Sequence, residues 1–117
     1  GLVQHVHDDV GPYLAAAFEA LRAHPLVGDV QTCGLMAALQ LVQDKADGNA
    51  FPESLGVGMV CRGHCFREGV IMRAVGDRMI IAPPLVITRA QIDEMMTLIR
   101  RCLDLTLADA QRRGWLR

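Results

Sequence analysis

The chain has 117 residues, enough for a single domain in which folding buries roughly 65% of the unfolded surface. About half the residues are apolar but only five are aromatic, so Ala, Val, Leu, Ile and Met must fill the core. A net charge of −1 argues against a duplex-binding domain, and no apolar run approaches the ~20 residues of a membrane span.

Leu2 to His24 reads as helix. Pro12 fits the first turn of its main part, where a missing N–H costs nothing. Tyr13, Leu14, Ala17, Phe18 and Leu21 then recur at helical spacing, and Pro25 stops the run. Leu35 to Val42 fits helix by propensity, but its shortness and the preceding Gly34 favour a central strand. Leu35, Ala37, Leu39 and Leu41 would line one face. Asp44 to Asn49 is a polar loop by composition. A helix is expected from about Leu55 to Glu68, ending at Gly69, with Gly58 and Gly63 either weakening it or marking close packing.

Val70–Val75 and Arg78–Ala82, joined by Gly76-Asp77, read as a β-hairpin that Pro83-Pro84 terminates. Thr88 and Gln91 form a capping box ahead of a long helix. Its apolar stripe is Ile92, Met95, Met96, Ile99, Cys102 and Leu103, and Gly114 closes it. The expected order is helix, strand, helix, hairpin, long helix. This is an α+β layer with helices packed on a small, mainly antiparallel sheet.

Three blocks of the sequence resemble one family. His24-Pro25-Leu26-Val27-Gly28-Asp29-Val30, followed by Gly34-Leu35-Met36, resembles its "hPlVgdvRgxGLm" segment. Gly69 to Asp77 resembles its "GlimRaxGd" strand and turn, and Ala82 to Met95 its "aPPLviTxxxiDEm" tail. The blocks keep order and spacing across nearly the whole chain. The family is the class-III, pyridoxal-phosphate-dependent aminotransferases, in the ω-amine:pyruvate and diamine branch. One departure stands out: the family pattern carries Arg between Val30 and Gly34, where this chain has Gln31-Thr32-Cys33. Any salt bridge of that arginine is lost, so docking there is expected to differ.

The resemblance implies that residues 1–117 are the C-terminal small domain of a fold-type-I enzyme, usually a homodimer. That enzyme moves an amino group from a primary amine or ω-amino acid to a keto acid such as pyruvate. Its large domain holds the pyridoxal phosphate, and the small domain helps form and close the substrate cleft. It also implies that Arg73 grips the acceptor's carboxylate and swings away for a neutral amine. The residues themselves fit such a role. A permanent cation on an apolar strand needs a partner, and a guanidinium forks onto a carboxylate through two parallel hydrogen bonds. The competing reading is an edge-strand arginine that reaches solvent or pairs with Asp77.

No catalytic, cofactor-binding or metal-binding residue is expected within the chain. Its one lysine, Lys45, lies in the polar loop beside Asp44 and Asp47, which favour its charged form over a Schiff-base amine. Gly56-Val57-Gly58 follows no strand, so it is no phosphate cradle. Cys61, His64 and Cys65 lack the second ligand pair a zinc site needs and read as buried thiols with a neighbour. His5, His7, Asp8 and Asp9 read as a solvated face, and nothing in the sequence lowers the pKa of Cys33. The six methionines read as core filler. Arg100, Arg101, Arg112, Arg113 and Arg117 read as a basic helix end.

Gly1, with no initiator Met or signal-peptide pattern, is the start expected of a piece cut from a longer polypeptide. Free thiols point to a reducing cytoplasm. Separated from its large domain, the chain is expected to be inactive and to self-associate through an exposed apolar face. The alternative is a stand-alone α+β module that binds a ligand or a protein.

Overall fold

The computed structural model describes residues 1–116. The chain begins with a nearly continuous helical stretch: α1 (Leu2–His5), a π-turn over Val6–Val10, α2 (Gly11–Glu19) and a 3₁₀ turn over Ala20–Ala23. Pro12 sits in the first turn of α2, as expected. The wider π-turn places the proline, which has no N–H to give, at a point where the helical ladder is already re-registered.

Four strands follow in the spatial order β1-β2-β4-β3, every neighbouring pair antiparallel. They are β1 (Val27–Cys33), β2 (Met36–Leu41), β3 (Arg73–Val75) and β4 (Arg78–Ile81). The α+β layer and the interior position of β2 match the sequence reading. β1 was not expected as a strand. Only Val27 and Val30 of its seven residues are buried, because the register shifts between Val27 and Asp29. That bulge removes the two-residue alternation by which a strand is recognised.

The β3–β4 hairpin forms, but Val70–Met72 lie outside the ladder. Beyond Ile81 the chain runs into Pro83 and Pro84, which have no N–H to offer a partner, so the pairing stops at Arg73.

α3 (Val57–Glu68) begins after Gly56 and ends on Gly69 at φ +87°, with the Val70 N–H closing onto the Cys65 carbonyl at 2.8 Å. Gly58 is the glycine that marks close packing: a Cβ there would stand 2.0 Å from the Gly76 carbonyl oxygen. Gly63 meets only the end of Arg67. α4 (Arg89–Arg112) carries the full capping box between Thr88 and Gln91.

The helices bury one face of the sheet. Ala37, Leu39, Leu41, Met79 and Ile81 join Leu14, Phe18, Cys61, Ile92, Met96 and Ile99 in one core. Met72, Met79 and Met96 belong to it, but Met36 and Met59 are exposed, so the core-filler reading fails for those two. Among the described residues no helix covers the opposite face of the sheet. α3 also exposes Met59 and Phe66 on its outer side.

Candidate functional site

Directly paired residues of a sheet share a face, so the register defines the helix-free surface. One row runs Arg73–Ile80–Ala38–Gln31, and the next runs Val75–Arg78–Gln40–Asp29. Apart from the two arginines, the two amides and Asp29 the rows are apolar: Val75 is 55% exposed and Met36, further along the same face, 56%. Arg73 begins edge strand β3 and is exposed on this surface.

Asp77, the acid that would neutralise it locally, is used elsewhere. Its carboxylate accepts the Gly58 N–H at 2.9 Å, at the start of α3. Among the described residues no ion pair involves Arg73. The other acid of the surface, Asp29, is drawn to Arg22 at 3.3 Å.

Arg78 was not singled out from the sequence. Its Nη2 donates to the Gln31 side-chain oxygen at 2.5 Å, reaching from β4 across β2 to β1. Ala38, which pairs with Gln31 on one side and with Ile80 on the other, is only 7% exposed although no helix covers it. Gln31, in the segment that departs from the family pattern, thus holds an arginine from another strand. An Arg opening an apolar strand two residues before Ile80, on the same face, was the available signal.

The remaining candidates fall into structural roles. Lys45 donates to the Arg22 and His24 carbonyls, capping the end of the first helical stretch, where the sequence suggested a solvated amine. Cys61, Cys65 and Cys102 are buried free thiols. The hydrogen bond with Cys61 and burial raise the Cys65 thiol far above its ordinary range, and burial raises Cys102. Among the described residues no cluster of three or more His, Cys, Asp or Glu could hold a metal, and no helix is long and apolar enough to cross a membrane.

His64 packs against α4, its Nε2 2.6 Å from Asp109, which also takes Arg112 at 2.7 Å. His7 and Asp8 form an exposed pair, but His5 and Asp9 are not simply solvated. His5 Nε2 lies 3.1 Å from the Ile87 carbonyl, and Asp9 accepts from Arg89 at 2.5 Å. Arg101 lies mid-helix and pairs with Glu68 at 2.9 Å, while Arg113 stacks over Trp115. The basic helix end is therefore narrower than expected, and Arg117 lies outside the described residues.

No family model matches the chain. It is 52% identical over 107 residues to putrescine–pyruvate aminotransferase from Pseudomonas aeruginosa, covering 92% of this chain and 23% of that protein. Among solved structures, the ω-transferase from Vibrio fluvialis JS17 superposes with a TM-score of 0.90 at 30% identity, covering 95% of this chain and 26% of that one. A probable γ-aminobutyrate transaminase of rice is 27% identical over 96 residues. The chain thus spans about a quarter of the length of these relatives. Over nearly all its own length it is similar in sequence and fold to the C-terminal part of these transaminases. The reading as a stand-alone module is not favoured.

Proposed function

We propose that residues 1–117 are the small domain of a class-III aminotransferase and that Arg73 binds the carboxylate of its keto-acid acceptor. The parent would take the amino group from a primary amine or ω-amino acid, with pyruvate or a similar keto acid as acceptor. It would act in the cytoplasm as a homodimer. Pyridoxal phosphate, held by polypeptide outside this chain, would carry the amino group between the two substrates.

The observation behind the reading is an arginine with no ion-pair partner among the described residues. Its guanidinium stands on the helix-free face of the sheet, and the nearest acid in sequence is committed to the α3 backbone. An exposed guanidinium on such a face is free to take a carboxylate, and it gains two charge-assisted hydrogen bonds when it does. This chain's own contribution is to bind and orient the acid, and to wall the cleft with Val75, Ile80 and Met36.

The test uses the full-length enzyme. Arg73→Ala should lower the rate constant ratio kcat/KM for the keto acid about a hundredfold, the worth of a lost forked ion pair. The half-reaction with the amine should change only a few-fold. Arg73→Lys, which keeps charge but loses the fork, should fall between. Equal losses in both half-reactions would overturn the role.

A further inference from the structure

We infer that Arg78, steered by Gln31, is the anchor through which this sheet docks on the polypeptide that covers its helix-free face, and that the anchor's partner there is a carboxylate. The inference rests on the reading of this chain as one domain of a longer enzyme, because it names a segment upstream of Gly1 in the same polypeptide as the occupant.

Three observations converge. First, Arg78 is held, not loose. One guanidinium N–H is spent on the Gln31 side chain at 2.5 Å, and the side chain spans from β4 to β1. A guanidinium carries five donors, so most remain available while its position is set. Second, its partner is neutral. Gln31 orients the cation without cancelling it, and the two acids nearest in the register are engaged, Asp29 by Arg22 and Asp77 by the Gly58 N–H. Among the described residues no ion pair involves Arg78.

Third, the surroundings are those of an interface centre. Met36, Val75 and Ile80 share the face with the two arginines. An apolar patch around a fixed, partly dehydrated arginine is the composition that buries well against another polypeptide. The relatives supply the length required: roughly three-quarters of each lies outside the region this chain matches. Arg73 stands at the β3 edge of the face, where the cleft would open, whereas the Arg78 guanidinium is carried to the β1 side. One cation is left for a ligand and the other for the protein.

The experiment is a zero-length cross-link in the full-length protein. Arg78→Lys keeps the charge and supplies an amine, and a water-soluble carbodiimide joins an amine to a carboxylate in contact with it. Peptide mass spectrometry should find an amide from position 78 to an Asp or Glu upstream of Gly1 in the same polypeptide. Adding Gln31→Glu should lower the yield at least several-fold, because the new carboxylate captures the amine. Arg78→Gln alone should lower the thermal midpoint by about 2–4 °C at low salt and less at high salt, as loss of a partly exposed ion pair of this size does.

A link to Asp29, to Asp77 or to a second subunit, or no link at all, would overturn the assignment. So would an Arg78→Gln enzyme that keeps its midpoint but loses affinity for a dicarboxylic keto acid, which would place a substrate on this cation. The cross-link is read without turnover. An inactive protein that still links at position 78 would refute the aminotransferase reading and leave the anchor standing.

Discussion

The two faces of one four-stranded sheet behave in opposite ways. On the helical side every inward residue of β2 and β4 is buried in a single core, and the polar groups that bridge helices there are paired: His64 with Asp109, Glu68 with Arg101, Asp77 with the α3 backbone. On the other side, the alternate residues run from buried Ala38 through half-buried Ile80 to exposed Met36 and Val75, and among the described residues neither Arg73 nor Arg78 pairs with an acid. Because successive side chains of a strand alternate, Met79 belongs to the first world and Ile80 to the second. The difference teaches that the chain satisfies itself on one face only. Function has to be sought on the face that it leaves incomplete.

Adjacent substitutions in β4 test the contrast most strongly. In the isolated chain, Met79→Ala should cost about 2–5 kcal/mol in urea unfolding, the range for a fully buried large side chain. Ile80→Ala should cost no more than about 1 kcal/mol. Equal losses would mean that the helix-free face is already packed. Repeating the pair in the full-length protein sharpens the comparison, since the Ile80 deficit should then rise toward that of Met79.

A smaller effect is expected at the contact between α3 and the β3–β4 turn. Gly58→Ala drives a Cβ into the Gly76 carbonyl and should cost about 1–3 kcal/mol, read from the same unfolding curves. Gly63→Ala, whose Cβ would make only ordinary contact with the end of the flexible Arg67 side chain, should instead be neutral or slightly stabilising.

The smallest effect belongs to Asp109. Hydrogen bonds from His64 and Arg112 hold its carboxyl below the usual value of 3.8 in the folded chain. Its contribution is therefore complete above that value and is lost as the pH falls through the lower folded value. Asp109→Asn should weaken the chain at neutral pH by at most about 1 kcal/mol, and the deficit should shrink on acidification below pH 4. A deficit that grows toward acid would reverse the assigned sign.

What the sequence made legible was local. The Thr88–Gln91 cap, the Gly69 terminus, the Gly76-Asp77 hairpin and the apolar line of β2 all follow from residues within one or two turns of each other. β1 was hidden because its bulge breaks the alternation and its outer residues, Asp29, Gln31 and Thr32, are those of a loop. The Arg78–Gln31 contact was hidden for another reason. It joins residues 47 positions apart and depends on the order of three strands, which no spacing along the chain reveals. Lys45 was legible as an exposed loop residue but not as a cap, since its carbonyl partners belong to the end of a helix some twenty residues earlier. Of the two arginines on the open face, motif and hydropathy pick out Arg73, and only the register picks out Arg78.

The contact of Gly58 with the hairpin turn limits how Arg73 can act. With Asp77 and Gly76 bolted to the opening residues of α3, the β3 backbone cannot slide without carrying the helix. If Arg73 binds an acid in one half of a cycle and steps aside for an amine in the other, as proposed above, it is left with torsion about its own side-chain bonds. Such rotations take picoseconds to nanoseconds at an exposed position, so the exchange of guests would be limited by their arrival and not by travel of the chain.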